Sequence, residues 1–401
     1  MRGPSVRPFV IAAGGTGGHL FPAEALAAAL LARGERVVLM TDARAAGARG
    51  FAGLDQHVLP GAGIAGRGVW RAGMAALALG WGGLTARRLL AGLDAQAVVG
   101  FGGYPSVAPA LGALLIRPRP RLILHEQNAV LGRANRALAR GADCLALSFA
   151  ATARVPERVA RVVTGNPVRP EILAHQGAAY RPGPALSLLV VGGSLGARVL
   201  ADLVPAAVAL LPEGLRAALD VTQQCRPEDL DRVRAAYTAA GVPATLAPFL
   251  DDMGTRLAGA QLVIARAGAS TVAELAAVGR PALLIPLPGA IDDHQRANTE
   301  PLVAAGAAER LDQAGLDAPA LARALAAWLG DPDRRIRAAA AAFGQSRTDA
   351  TERLADLAMR LGAGEVVGDP GSAGTWVSGA QGWRGGARQT QDDTRPPQEG
   401  G

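Results

Sequence analysis

The sequence predicts an α/β protein made of two similar halves, each built on a parallel sheet, facing each other across a hinge. Three observations carry this. Short apolar runs alternate with helical stretches along most of the chain. A strand, glycine turn and helix follow one another from Phe9, and the same succession restarts at Leu186. Between the two lies Thr164-Gly165-Asn166-Pro167-Val168-Arg169-Pro170, whose prolines and Gly-Asn step read as a linker.

The length of 401 residues suits two domains better than one core. Half the residues are hydrophobic but only 4% are aromatic, so the cores must be mainly Ala, Leu and Val. All 41 basic residues are arginine and the net charge is +7, which suits an anionic partner: nucleic acid, a phosphorylated substrate or an acidic membrane surface. Cys144 and Cys225 lie far apart without metal-ligand spacing and read as small core residues in a reducing compartment. The first apolar run is short and ends in glycines, so no signal peptide is expected. The longest uncharged run, 95–116, is broken by Gly100, Gly102, Gly103, Pro105 and Pro109, which makes a poor spanning helix. The expectation is a soluble cytoplasmic protein, with attachment to a membrane surface left open.

The first half opens with the strand-like run at Phe9. Gly14-Gly15-Thr16-Gly17-Gly18-His19 reads as a turn, and Pro22 as the opening residue of a helix. Several backbone N–H groups and a helix N-terminus meet there, a seat for an anion. Residues 36–40 read as a strand and 41–48 as a loop. Residues 61–93 contain no acidic group; Trp70, Met74 and Leu77 share a helical face, with Arg67, Arg71, Arg87 and Arg88 around it. That face reads either as core packing or as a patch entering a bilayer interface. Strands are expected at 97–100, 121–124, 143–147 and 161–163. A ligand should sit at the carboxyl ends of such strands, where the glycine turn, the Tyr104 loop and the Asn128 loop gather.

In the second half, 186–191 is an apolar strand followed by the turn Gly192-Gly193-Ser194-Leu195-Gly196 and a helix. Further strands are expected at 220–222, 244–249, 262–265 and 282–286, and helices at 317–329, 332–343 and 348–361. The domains are expected at 1–166 and 167–345, with the helix of 346–362 packing back on the first. Residues 363–401, rich in Gly, Pro, Ser and Gln, read as a disordered tail.

Single motifs are weak. Gly14–His19 misses the Gly-x-Gly-x-x-Gly spacing of dinucleotide binders, and no Lys-Ser/Thr follows as in an ATP cradle. Taken alone, His19 reads as a helix-start histidine, Ser194 as a cap, Phe249 as core and Glu274 as a solvated helix residue. The ordered set is specific: Gly14 to His19; Gly102-Gly103-Tyr104-Pro105-Ser106; His125-Glu126-Gln127-Asn128; Gly165 to Arg169; Gly192 to Arg198; Pro248 to Met253; Arg266 to Glu274; and Asp292 to Asn298. Over residues 9 to about 310 these resemble the MurG family, glycosyltransferases that add N-acetylglucosamine to lipid I.

The resemblance implies the GT-B fold: two Rossmann-like, doubly wound parallel-sheet domains facing across a cleft. It implies inverting transfer from UDP-N-acetylglucosamine to the 4-hydroxyl of the N-acetylmuramyl group of lipid I (undecaprenyl-pyrophosphoryl-MurNAc-pentapeptide), giving lipid II and UDP at the cytoplasmic face of the bacterial inner membrane. His19 is then the general base, since an imidazole titrates near working pH. Thr16, Gly17, Tyr104, Glu126, Asn128 and Asn135 would face the acceptor. Thr16, Gly18, Asn128, Arg169, Gly193, Ser194, Phe249, Leu250, Arg266, Ala269, Ser270, Thr271, Glu274, His294 and Gln295 would surround the donor. Within that set, Arg169 pairs with the pyrophosphate, Phe249 covers the uracil, Glu274 takes both ribose hydroxyls, and His294 and Gln295 bind sugar hydroxyls, with Asn298 supporting their loop. His125 reads as structural, and His57 and His175 carry no assigned role.

Asp251-Asp252 and Asp292-Asp293 could hold a divalent cation on a diphosphate, but arginines and helix N-termini can neutralise UDP, so no tightly bound cofactor and no metal ligand is assigned. The implied partners are the donor, lipid I, an anionic inner-membrane surface and other cell-wall synthesis proteins. Nucleic acid is not expected, for want of an aromatic-interleaved basic stretch. The competing readings are a different GT-B glycosyltransferase and a nicotinamide-dependent dehydrogenase.

Overall fold

The computed structural model describes residues 7–15, 17–60, 69–193 and 196–367, without the side chains of 49 and 69–76. Thr16, Ser194, Arg67 and the expected tail from 368 onward therefore lie outside the described residues, as do the side chains of Trp70, Arg71 and Met74.

The first domain carries strands β1 (Phe9–Ala12), β2 (Val37–Thr41), β3 (Asp55–Val58), β4 (Ala97–Gly100), β5 (Arg121–Glu126), β6 (Cys144–Leu147) and β7 (Arg161–Val163). The second carries β8 (Leu186–Val191), β9 (Leu219–Gln224), β10 (Ala244–Ala247), β11 (Leu262–Ala265), β12 (Ala282–Leu284) and β13 (Ala308–Arg310). The sheet orders are β3-β2-β1-β4-β5-β6-β7 and β10-β9-β8-β11-β12-β13. Pairing is parallel on both sides of β1 and of β8. Two Rossmann-like domains thus form the GT-B arrangement that the resemblance implies.

The central strands are apolar because helices cover both faces of each sheet. Every residue of β1, β4 and β11 is buried. Strand order reverses beside β1 and beside β8. A crevice opens at each reversal, and the two glycine turns follow these two strands.

Two edge strands, β3 and β13, are absent from the sequence reading. Asp55-Gln56-His57-Val58 is exposed or half-buried throughout, so no apolar run marks it, and it carries His57. Ala308-Glu309-Arg310, at an edge of the second sheet, buries only Ala308 and is too short and too charged to stand out as an apolar run. The first helix also starts earlier than expected, at Gly17, so that Pro22 lies inside Gly17–Ala32 rather than at its opening. A proline there leaves the Gly18 carbonyl without its helical N–H donor.

The helix Ala350–Gly362 belongs to the first domain's core through Leu354, Leu357 and Leu361. Arg33 of the first helix binds Glu352 and Asp356, and Arg353 donates to the Val163 carbonyl at 2.7 Å. The chain therefore leaves the first domain at β7 and returns to it at residue 350. Gly165, at φ 87°, marks the crossing: a Cβ there would stand 2.8 Å from Arg347 Cβ and 2.9 Å from Ala350 Cβ.

The helix Val69–Leu93 packs through Gly82, Gly83 and Ala86 against Val107–Leu114. Its other face leaves Leu77, Trp81 and Leu84 exposed, Leu77 by 71%. Among the described residues no helix is long and apolar enough to cross a membrane. Cys144 and Cys225 are free and buried, and burial pushes their thiols up to about 12 and about 11.

Candidate active site

The first domain's wall of the cleft is built from the ends of β1, β4 and β5. His19 stands in the first turn of Gly17–Ala32, and its Nδ1 lies 2.7 Å from the Phe101 carbonyl. A carbonyl only accepts, so Nδ1 is the donor, and in the neutral tautomer this selects, the lone pair lies on Nε2. The ring lies against Gly102 and Gly103, at φ 79° and 66°. A Cβ on Gly103 would stand 3.5 Å from His19 Nε2. The left-handed backbone at both positions is what favours glycine; toward the ring a Cβ would make only ordinary contact.

Tyr104 does not stand alone. Its hydroxyl donates to the Asp42 carboxylate and accepts from Arg44 Nη2 at 2.7 Å. Arg44 Nε also binds Asp42, at 3.0 Å. Burial alone would raise the Asp42 carboxyl, but the Tyr104 hydroxyl and the Arg44 guanidinium hold it below its ordinary value. Burial and the Asp42 charge push the Tyr104 hydroxyl up. Neither Asp42 nor Arg44 is in the sequence-derived site, since nothing in 41–48 marks them apart from a solvated loop.

Glu126 and Asn135 depart from expectation. Both are buried, and Glu126 accepts the N–H groups of Asn128 and Gly132, at 3.0 and 2.8 Å, and the side-chain amides of Asn128 and Asn135. They fold the Asn128 loop rather than facing an acceptor, because the carboxylate is consumed by donors within nine residues of it. His125 is wholly buried beside Phe101, with its Nε2 3.2 Å from the Gly165 carbonyl. Burial pushes its imidazole down to about 4, so it is a neutral structural group at the crossing.

The second domain's wall starts with Gly193, at φ 84°, where a Cβ would meet open space. Gln224 fixes this turn by accepting the Gly192 N–H at 3.2 Å and donating to the Pro248 carbonyl at 3.2 Å. Phe249 is 60% exposed while its neighbour Leu250 is buried. The solvent-exposed aromatic ring is thus a free platform, not core. Ala269, Ser270 and Thr271 form the first turn of Ala269–Val278, whose N–H groups have no intrahelical acceptors. Ser270 Oγ approaches the Gly18 carbonyl at 3.5 Å, the group that Pro22 leaves without a helical donor.

Glu274 lies on the same helix, buried, and accepts Arg169 Nε and Nη2 at 3.1 and 2.9 Å. Burial raises its carboxyl, against the lowering effect of Arg169. The Arg169 guanidinium also stacks on Phe21 of the first domain, 4.3 Å from the ring centroid. Arg266 is a further departure. It is buried, and its guanidinium donates to the carbonyls of Ile285 and Pro286 and to Gln313 Oε1, so it braces the end of β12 instead of presenting its charge to a ligand. His294 donates from Nδ1 to the Ile291 carbonyl at 2.8 Å, and Gln295 Oε1 accepts the Leu287 N–H at 2.9 Å, so both shape the loop around Asp292.

That loop also closes the cleft. Asp292 and Asp293 hold φ of 56° and 52°. Asp292 pairs with Arg136 at 3.1 Å and Arg154 at 2.5 Å, both from the first domain, and these arginines hold its carboxyl down. Asp252 is bound by Arg256 at 2.7 Å. Among the described residues no group of three or more His, Cys, Asp or Glu side chains is placed to hold a metal ion.

Two family models match the chain: the glycosyltransferase family 28 N-terminal domain over residues 9–147 and the C-terminal domain over 187–354. A protein of Granulibacter bethesdensis named UDP-N-acetylglucosamine–N-acetylmuramyl-(pentapeptide) pyrophosphoryl-undecaprenol N-acetylglucosamine transferase is 57% identical over 360 residues, covering 88% of this chain and 94% of its own. A protein of the same name from Acidiphilium cryptum is 52% identical, covering 90% of this chain and 98% of its own. A crystal structure of MurG from Acinetobacter baumannii is similar with a TM-score of 0.71 at 29% identity, covering 88% of this chain and 99% of that one.

Proposed function

The chain belongs to glycosyltransferase family 28, a peptidoglycan-precursor N-acetylglucosaminyltransferase that uses UDP-N-acetylglucosamine and lipid I to make lipid II, and from that premise we propose how its residues divide the work. His19 Nε2 takes the proton of the acceptor's 4-hydroxyl as that oxygen attacks the anomeric carbon of the donor. The sugar–phosphate bond breaks with inversion, and its electron pair leaves on the UDP β-phosphate. The observation that carries this reading is the His19–Phe101 bond, which makes Nδ1 the donor and so selects the neutral tautomer whose lone pair is on Nε2, beside Gly103.

The donor lies on the second domain. The first turn of Ala269–Val278 and the turn at Gly193 meet the pyrophosphate through backbone N–H groups. Phe249 offers its exposed ring to the uracil, and Glu274 faces the ribose with Arg169 beside it. The acceptor pyrophosphate lies at the first glycine turn, across the cleft. The leaving charge is met by helix N–H groups and arginine without a resident cation: Arg136 and Arg154 already occupy Asp292, and Arg256 occupies Asp252. The exposed Leu77-Trp81-Leu84 stripe, with Arg87 and Arg88 on the same helix, rests on an anionic membrane surface where the lipid acceptor is presented.

The test is a panel of sugar nucleotides and acceptors. Transfer is expected from UDP-N-acetylglucosamine to a soluble lipid I analogue, and to persist in excess chelator. His19→Ala is expected to lower kcat by about 10² or more with UDP affinity retained by calorimetry. Absence of transfer in the wild-type protein overturns the acceptor assignment, and an unchanged kcat in His19→Ala removes the base.

A further inference from the structure

Beside the first glycine turn an arginine is held in place by two partners from different loops. Asp42, just after β2, has a side chain only 6% exposed. Its carboxylate accepts the Ala45 N–H at 3.2 Å, the Tyr104 hydroxyl, and Arg44 Nε at 3.0 Å. The Tyr104 oxygen takes a second edge of the guanidinium, Nη2, at 2.7 Å. The cation also lies 5.1 Å from the centroid of the Tyr104 ring. Two fixed edges and a ring face set its orientation, yet the Arg44 side chain remains 61% exposed. No described residue accepts a hydrogen from its Nη1 group. Nη2 stands 3.6 Å from where a Cβ on Gly15 would be, so the charge overhangs the turn. The Tyr104 loop that holds it also carries Gly103, against which His19 Nε2 lies.

We propose that Arg44 binds the pyrophosphate of the lipid acceptor, with Asp42 as the positioning residue that fixes its guanidinium. The assignment rests on the acceptor reading given above. A surface arginine ordinarily loses side-chain freedom when it binds, and here that freedom is already gone before the ligand arrives. Guanidinium matches phosphate oxygens in a planar, forked geometry that an ammonium cannot reproduce. The partners spend only part of its five donors, and the free edge adds charge to the backbone N–H groups of the turn. The Asp42 carboxylate does not repel the ligand to the same degree, since it is buried behind Tyr104 and neutralised by Arg44 itself.

The experiment compares two acceptor analogues in steady-state transfer from UDP-N-acetylglucosamine, one with the sugar on a diphosphate and one on a single phosphate. For Arg44→Gln the acceptor KM on the diphosphate is expected to rise about tenfold, the size of one charged hydrogen bond, with kcat and donor KM within about twofold. The rise should be smaller on the monophosphate, and Arg44→Lys should recover only part of it. Asp42→Asn should raise the same KM, and should add nothing once Arg44 is already Gln, because it acts through that side chain. An unchanged acceptor KM in Arg44→Gln, or an equal rise on both analogues, overturns the assignment while leaving the enzyme's activity standing. Failure of the wild-type protein on both analogues overturns the acceptor reading, and this assignment with it.

Discussion

Asn298 of the second domain accepts the backbone N–H of Ala129 of the first at 2.8 Å. Its amide donates on to Asn128 Oδ1 at 3.2 Å and to the Ala267 carbonyl at 3.1 Å. Asn298 is fully buried, so one side chain ties the Asn128 loop of the first domain to the turn before the helix Ala269–Val278 of the second.

Asn298→Ala should leave the Ala129 N–H buried without a partner. An unsatisfied buried donor costs about 1–3 kcal/mol. The expected outcome is that loss in urea unfolding, with a fall in kcat/KM larger than the fall in UDP affinity, since the donor site is intact but its partner loop is loose. Equal losses in both would mean that the contact supports the second domain alone.

Arg169→Met should strand Glu274. The pair is mostly buried, and breaking a buried pair by removing one partner costs on the order of 3 kcal/mol. The Glu274 carboxyl is already raised by burial. Its native state therefore holds a proton at pH values where the unfolded chain has lost it, and stability falls as pH rises through the native value. Removing Arg169 enlarges that effect. The stability gap between variant and wild type should be widest at neutral pH and narrow as pH falls toward the carboxylate range, measured by urea titration at two pH values. A gap independent of pH would place the cost in the lost Phe21 stacking instead.

The legibility of the molecule follows burial and chain distance. Central strands such as β1 and β8 could be read because both faces are covered, which forces an apolar run. β3 and β13 could not, because an edge strand with polar faces resembles a loop. Pro22 reads as an opening residue because proline there is the ordinary case, whereas the helix begins a turn earlier, at Gly17, and carries the proline inside it. The motif residues gather at the cleft, but their partners are set by geometry the motifs do not contain. Glu126 turns inward to four donors, Arg266 is spent on Ile285 and Pro286, and Asp42 and Arg44 meet Tyr104 across about sixty residues of chain.

His125 supplies a second pH dependence of opposite sign. Its imidazole falls from 6.5 to about 4 on burial. The unfolded chain therefore binds a proton before the native state does, and stability is lost as pH falls from about 6.5 toward 4. His125→Gln removes the titration, so its stability should vary less with pH across that window; the difference in slope integrates to on the order of 3 kcal/mol. Parallel slopes for variant and wild type would show that the ring is not held neutral.

Leu77, Trp81 and Leu84 form one exposed stripe at spacings of four and three, on a helix whose opposite face is fixed by Gly82, Gly83 and Ala86. Large apolar side chains turned outward in series need a partner, and a lipid-linked acceptor supplies the reason for a bilayer. Replacing all three by serine removes apolar surface from an exposed face, where substitutions rarely shift stability by more than about 0.5 kcal/mol. Transfer to a soluble acceptor should therefore be kept. Sedimentation with vesicles of anionic phospholipid should fall about tenfold or more, since each buried large side chain is worth roughly 1.5–3 kcal/mol. Raising the salt should weaken the wild-type protein's binding further, through Arg87 and Arg88. Vesicle binding equal to that of the wild-type protein would overturn the proposal that this stripe meets a membrane.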